Sequence, residues 1–336
     1  MHTGVFHQID LNRDGKTISH IGLPFSVDRS PYYRATIPIC VIRNGEGPSA
    51  LLMAGAHGDE YEGELLLARL IRRLEPQRVR GRVTILPLAN APAVMAGRRR
   101  SPLDEGNLNR AFPGDPDAPP TRRLAHFLEA ELIPRHDVLF DIHSGGTTLA
   151  HLPSALIETN DDQARHAVAL DLMQNLGMPF GFIADNGPFA PTSMGAARRA
   201  GAISVSGEYG GGATTTPLSM RRTAEAIDRL MLALRIVEAP TLVDALAPAP
   251  PMRLLSLARD SQSLYAARRG WFEPAKSLGE SVRAGETAGW LHDLERLEDP
   301  EEELRFAEDG IVLSMRLPTL CEPGDCLVQV AEELRT

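Results

Sequence analysis

The chain has 336 residues, 43% of them hydrophobic and 24% charged, which is enough for one large α/β domain and a smaller second one. Its net charge of −9, with a pI near 5.6, argues against nucleic acid or an anionic membrane as a partner. Three cysteines (Cys40, Cys321, Cys326) form no CxxC pair, the N-terminal stretch has no signal-like apolar core, and no run approaches the roughly 20 apolar residues of a membrane span. A soluble cytoplasmic protein is therefore expected.

In chain order, residues 1–45 alternate short polar and apolar runs and predict strands. The turn-like string Asp10-Leu11-Asn12-Arg13-Asp14-Gly15 matches half of a calcium loop, but its twelfth position is Ile21 and not a bidentate Glu, so a hairpin turn is predicted. Ala50 to Ala56 is fully apolar and reads as a buried strand ending at His57. Leu65, Leu66, Ile71 and Leu74 recur near helical spacing, predicting a helix over 62–74, and a strand follows at 82–88. The rhythm continues with a helix at 121–132, a strand at 137–142, a helix at 162–176, strands at 180–184 and 202–206, and a helix at 219–237. Strand, helix, strand repetition predicts a parallel arrangement with crossover helices. Residues 238–251 are Ala/Pro-rich and mark a boundary, beyond which short strands and turns predict a β-rich domain.

His57, His143 and Glu208 fall at or just past the C-terminal ends of predicted strands, where open α/β sheets bind ligands. His57 and Glu60 lie in His57-Gly58-Asp59-Glu60, and His143 in Asp141-Ile142-His143-Ser144-Gly145-Gly146. Two imidazoles and a carboxylate are the set a catalytic zinc takes, with its fourth position left open. Gly55 and Gly58 flank His57 and allow close backbone approach. Asp141 shares a strand face with His143; it either hydrogen-bonds that imidazole or is kept from it by so close a strand position, and the sequence leaves both open. Glu208, in Gly207-Glu208-Tyr209-Gly210-Gly211-Gly212, is the candidate general base and acid. Arg110, in Asn107-Leu108-Asn109-Arg110, suits a carboxylate substrate, and one guanidinium of Arg98, Arg99 and Arg100 suits an oxyanion. The chain has no G-x-S-x-G elbow, P-loop string or H-E-x-x-H helix.

Taken together, HGDE, NLNR, DIHSGG and GEYGGG over residues 45–240 resemble the succinylglutamate desuccinylase and aspartoacylase family of zinc carboxypeptidase-like amidohydrolases. The resemblance implies an α/β fold, a mixed sheet flanked by helices with a smaller C-terminal β-rich domain. The catalytic domain would span 1–245, with an N-terminal β segment at 1–45, and the β-rich domain 252–336. By the resemblance His57, Glu60 and His143 match the ligands of one zinc ion, and Glu208 matches the acid/base. Asn109 and Arg110, with Asn107 beside them, match the loop that holds the substrate carboxylate. The oxyanion arginine lies a few residues earlier, with Arg100 taken as its match.

Aspartoacylases typically carry Asp where this chain has Asn107, so their substrate preference does not transfer. HGDEYEG followed by GNLNRAFPG is similar to the branch of the family that deacetylates N-acetyl-diaminobutyrate in ectoine degradation. The expected partner is a small N-acyl amino acid, with no nucleic acid or membrane, and the expected assembly is a homo-oligomer, a dimer favoured. The C-terminal part resembles a lipoyl- or biotinyl-like fold, but 292–306 contains no Lys to carry such a group, so a lid or an oligomer contact is the expected role. An aspartoacylase or desuccinylase activity and a metallocarboxypeptidase acting on peptides are the alternatives, with a non-catalytic binding module as the third.

Overall fold

The apolar runs become strands buried on both faces, in a computed structural model that describes residues 4–334. The chain opens with strands β1 (Phe6–His7), β2 (Gly15–Pro24), β3 (Arg34–Asn44) and β4 (Ser49–Ala54), then helix α1 (Tyr61–Arg73) and β5 (Gly81–Leu86). Helices α2 (Ala91–Met95) and α3 (Pro120–Phe127) precede β6 (Val138–His143), β7 (Leu149–His151) and β8 (Ser154–Glu158). Helix α4 (Gln163–Asn175), β9 (Phe180–Ala184), α5 (Ser193–Ala200), β10 (Ile203–Glu208) and α6 (Pro217–Ala233) complete this part. Their order across the sheet is β1-β2-β3-β5-β4-β6-β10-β8-β9. The centre, β5-β4-β6-β10, is parallel, whereas β3 joins it antiparallel and β8 inserts antiparallel to β10. The sheet is thus mixed, as the family resemblance implies.

Period-two alternation sends successive side chains of a strand to opposite faces. Leu52, Ala54, Phe140, Ile142 and Val205 pack on one face with Leu66 and Leu70 of α1, Met173 of α4 and Leu230 of α6. Leu51, Met53 and Leu139 pack on the other with Leu124 of α3 and Ala196 and Ala197 of α5. The strand predicted at 202–206 runs two residues further, so Glu208 closes it. The helix predicted at 121–132 is α-helical only through Phe127 and widens into a π-helical turn over Leu128–Leu132. The predicted turn at Asp10 is an Asx turn, its Oδ1 accepting from Asn12 N–H at 2.9 Å, between the antiparallel β1 and β2.

The chain then adds β11 (Arg253–Leu257), β12 (Ser263–Tyr265), β13 (Gly270–Pro274), β14 (Ser281–Val282) and β15 (Thr287–His292). It ends with β16 (Glu302–Arg305), β17 (Gly310–Arg316), β18 (Leu320–Cys321) and β19 (Cys326–Glu333). Strands β16-β15-β13-β18 form a separate antiparallel sheet over Phe272, Leu291 and Val312. β11 pairs in parallel with β9 and antiparallel with β19, so the large sheet runs on into the C-terminal part. β17 pairs with both β19 and β7.

The Ala/Pro-rich stretch after α6 has no regular element but is tied down. The buried carboxylate of Asp228 accepts the N–H groups of Thr241, Leu242 and Val243 at 2.9, 2.8 and 3.0 Å. Replacing Asp228 by Ala leaves buried donors without an acceptor and is expected to cost at least about 2 kcal/mol. Urea denaturation of Asp228→Ala measures it; an unchanged midpoint would show that the tether contributes nothing.

Candidate active site

The register of β6 and β10 builds the site. Ser206 lies beside Asp141 and Glu208 beside His143 in parallel pairing, so all four side chains point to the face covered by α5. Both strands end at this level. Glu208 and His143 are therefore neighbours at the sheet edge, brought together across 65 residues of sequence by main-chain hydrogen bonds alone. Tyr209 N–H donates to the His143 carbonyl at 3.1 Å and continues the pairing one step beyond the strand.

Glu60 stands at the start of α1 with its carboxylate between two imidazoles. Its Oε1 lies 2.7 Å from His57 Nδ1 and its Oε2 2.9 Å from His143 Nδ1, and Ser144 N–H donates to Oε2 at 3.1 Å. Burial alone would push the Glu60 carboxyl up, but His57 and His143 outweigh it and hold it well below the usual carboxylate range. Burial likewise pulls His143 down, and Asp141 and Glu60 on its two sides overcome this and raise it well above its ordinary value. One donor atom from each of His57, Glu60 and His143 lies within 4.8 Å of the others, and all three residues are buried. That cluster can hold a metal ion once His143 gives up its proton: two imidazole nitrogens and one anionic oxygen converge, with Asp141 behind His143 to orient it. Asp141 Oδ2 is 2.8 Å from His143 Nε2, and Ser193 Oγ donates to the same oxygen at 2.5 Å.

Two loops are locked together around this cluster. Gly58 N–H donates to the Arg98 carbonyl at 3.0 Å, and a Cβ on Gly58 would sit 2.1 Å from the Ala93 carbonyl carbon. Only glycine permits that contact. It docks the 98–100 turn so that Arg99 reaches Glu60 Oε1 at 3.5 Å. Arg100, the residue expected at the oxyanion, is instead 3.2 Å from Glu105 Oε2, and Arg98 pairs with the same carboxylate at 2.7 Å. Asp59 accepts both the N–H and the hydroxyl of Thr147, at 2.7 and 2.8 Å, which staples the HGDE and DIHSGG loops to each other.

A cavity of about 200 Å³ opens over the cluster and is lined by Arg99, Asn109, Arg110, His151, Glu158 and Glu208, among others. Burial, with Glu60 nearby, pushes the Glu208 carboxyl up to about 8, and its Oε2 has no protein partner. Asn109 Oδ1 accepts from Ser193 N–H at 2.8 Å, and Arg110 donates to the Asn109 carbonyl at 2.7 Å. Asn107 does not line the cavity; it faces a neighbouring hollow with Asp104, Phe112 and Thr121. Sequence reasoning did not single out His151, Glu158, Asn186, Thr192 or Ser193, which also line it. They come from β7, β8 and the approach to α5, short elements with little periodic signal. A larger hollow of about 780 Å³ beside Arg78 and Arg235 lies away from this chemistry.

Residues 46–234 match the succinylglutamate desuccinylase/aspartoacylase catalytic domain. The chain belongs to that family. Members similar to it include the N-alpha-acetyl-L-2,4-diaminobutyric acid deacetylase of Halomonas elongata, 37% identical over 324 residues, or 96% of this chain and 94% of that protein. A succinylglutamate desuccinylase/aspartoacylase from Rhodobacter sphaeroides superposes with a TM-score of 0.92 at 33% identity, over 98% of this chain and 100% of that one. The product-bound ectoine utilization protein EutE (DoeB) from Ruegeria pomeroyi gives 0.92 at 32% identity, over 99% and 100%. The family and its diaminobutyrate-related members are those the motifs resemble. Among the described residues no helix is long and apolar enough to cross a membrane.

In this family member, Asp141 orients an imidazole from behind. Asp141→Asn is expected to lower metal affinity about 10–100-fold. Competition against a chelating dye measures this, and wild-type affinity would strip Asp141 of that role.

Proposed function

We propose that the protein is a zinc-dependent deacylase of small N-acyl amino acids, acting on N-acetyl-L-2,4-diaminobutyrate to give diaminobutyrate and acetate. The observation that carries the reading is the pairing of Glu208 with His143 at the end of adjacent strands. It sets a carboxyl with a free oxygen beside the His57, Glu60, His143 cluster and inside the same cavity. The name of the Halomonas elongata relative and the ectoine link of EutE support the substrate. The cavity, at about 200 Å³, is below the roughly 300–1,000 Å³ of drug-sized ligand sites and suits one acylated amino acid better than a peptide.

His57, Glu60 and His143 would hold the zinc, which supplies Lewis acidity when bound, acidifying water and polarising a carbonyl. The ionised form of Glu208, which fills as pH rises towards about 8, takes the proton from the attacking water as its oxygen adds to the acyl carbon. The Arg99 guanidinium faces the cavity and answers the negative charge that develops on the carbonyl oxygen. As the C–N bond breaks, Glu208 returns that proton to the leaving nitrogen. The balance is one water consumed and one carboxylic acid and one amine formed, the acid then passing its proton to the amine to leave carboxylate and ammonium. Arg110 binds the α-carboxylate of the amino acid, and Asn109, fixed through Ser193, positions Arg110 by offering its carbonyl to the guanidinium.

Metal-replete enzyme assayed on N-acetyl-diaminobutyrate, N-acetyl-aspartate and N-succinyl-glutamate, with a chelator control, tests the reading. Chelator-sensitive acetate release from the first is expected, and silence on all three would overturn the substrate class. Glu208→Gln should keep its metal while turnover falls about 10²–10⁴-fold; turnover at the wild-type rate would remove Glu208 from the mechanism. Arg110→Ala should raise KM, and an unchanged kcat/KM would reject its role.

A further inference from the structure

The cavity contains one carboxylate that neither the metal cluster nor the proposed proton transfer uses. Glu158 closes β8, next to β10 in the sheet, and its side chain lines the cavity with Arg110 and Glu208. Its Oε1 is fixed from two directions, accepting the Asn186 amide at 2.9 Å and the Thr192 hydroxyl at 3.1 Å. Among the described residues it makes no ion pair, and Oε2 receives no hydrogen bond from the protein. A carboxylate held rigid by neutral donors, half-buried and with no cation within ion-pair distance, is an arrangement that favours a cationic ligand group.

Charge is laid out across the cavity in a matching way. Arg110 offers a guanidinium for a carboxylate, and Glu158 shares the cavity and interacts electrostatically with it. A substrate carrying an α-carboxylate and, a few bonds away, a free ammonium would satisfy both at once. An acidic side chain would set its charge against Glu158.

From this we infer that Glu158 is the specificity-determining residue that selects N-acyl amino acids with a positively charged amino group on the side chain, binding that ammonium through Oε2. The inference deepens the deacylase reading and rests on it. Glu158 touches no reacting atom in this scheme, so its loss should appear in KM and in substrate preference, with little change in the rate of the chemical step.

The test compares N-acetyl-2,4-diaminobutyrate with N-acetyl-2-aminobutyrate, which has the same carbon skeleton and lacks the amine. Wild type should favour the amine about 10–100-fold in kcat/KM. Glu158→Gln keeps an acceptor for Asn186 and Thr192 but loses the charge, so it should lose that preference through KM while handling the neutral substrate much as before. Glu158→Lys should move the preference towards N-acetyl-aspartate. Should the variants fail to fold, product inhibition of wild type by 2,4-diaminobutyrate against 2-aminobutyrate decides: stronger inhibition by the diamine supports the inference, and equal inhibition overturns it. A Glu158→Gln enzyme that still prefers the amine, or a wild type active on both substrates without preference, overturns the inference and leaves the deacylase reading intact. Wild type inactive on every N-acyl amino acid overturns both.

Discussion

The buried carboxylate of Glu60, pressed against an imidazole nitrogen on each side, is the constraint around which the rest of the site is arranged. A charge taken out of water costs several kcal/mol unless it is paired and hydrogen-bonded. Here the pairing comes from His57 three residues before it and from His143 on another strand, with one main-chain donor from Ser144. Each partner needs its own support. His143 is backed by Asp141, which is backed by Ser193 of α5, whose N–H in turn holds Asn109. Four separate chain segments are thereby made to agree on one position.

Much of this was legible in the sequence because it depends on strand periodicity. An apolar run ending in a polar residue locates a strand terminus, and three such termini carry His57, His143 and Glu208. Alternation also places Asp141 on the face of His143, where the structure shows it. The arginine triplet was different. Three consecutive residues in a turn have no period to separate them, and only the docking of Gly58 against the Arg98 carbonyl turns Arg99 towards Glu60 and leaves Arg100 with Glu105. Asn107, which precedes the single tight turn Leu108–Arg110, lines the neighbouring hollow, which Arg110 borders as well as the cavity.

The residues that escaped sequence reasoning share an origin. His151, Glu158 and Ser193 come from β7, β8 and α5, elements of 3, 5 and 8 residues. Propensity over so few positions is weak, and these segments are strands or helices because of what they pack against. β8 is a strand because β10 and β9 hold it on both edges. β7 is one because β17 pairs with it on one side, at His151 with Ser314, while Ala150 bridges Gly211 on the other. A Cβ at Gly211 would lie 1.9 Å from the Leu149 carbonyl oxygen, so this seam between the DIHSGG and GEYGGG loops closes only on glycine.

The same seam has a bearing on the order in which the protein is made. His57, Glu60, Arg99, Arg110, His143 and Glu208 all lie within the first 208 residues. Yet β7, which forms a wall of the cavity with Leu149 and His151, leans on β17, and β17 is itself held by β19, which ends at Glu333. A nascent chain can therefore hold every reactive group and still lack a closed wall around them. The cavity wall at β7 thus depends on C-terminal strands that contribute none of these side chains.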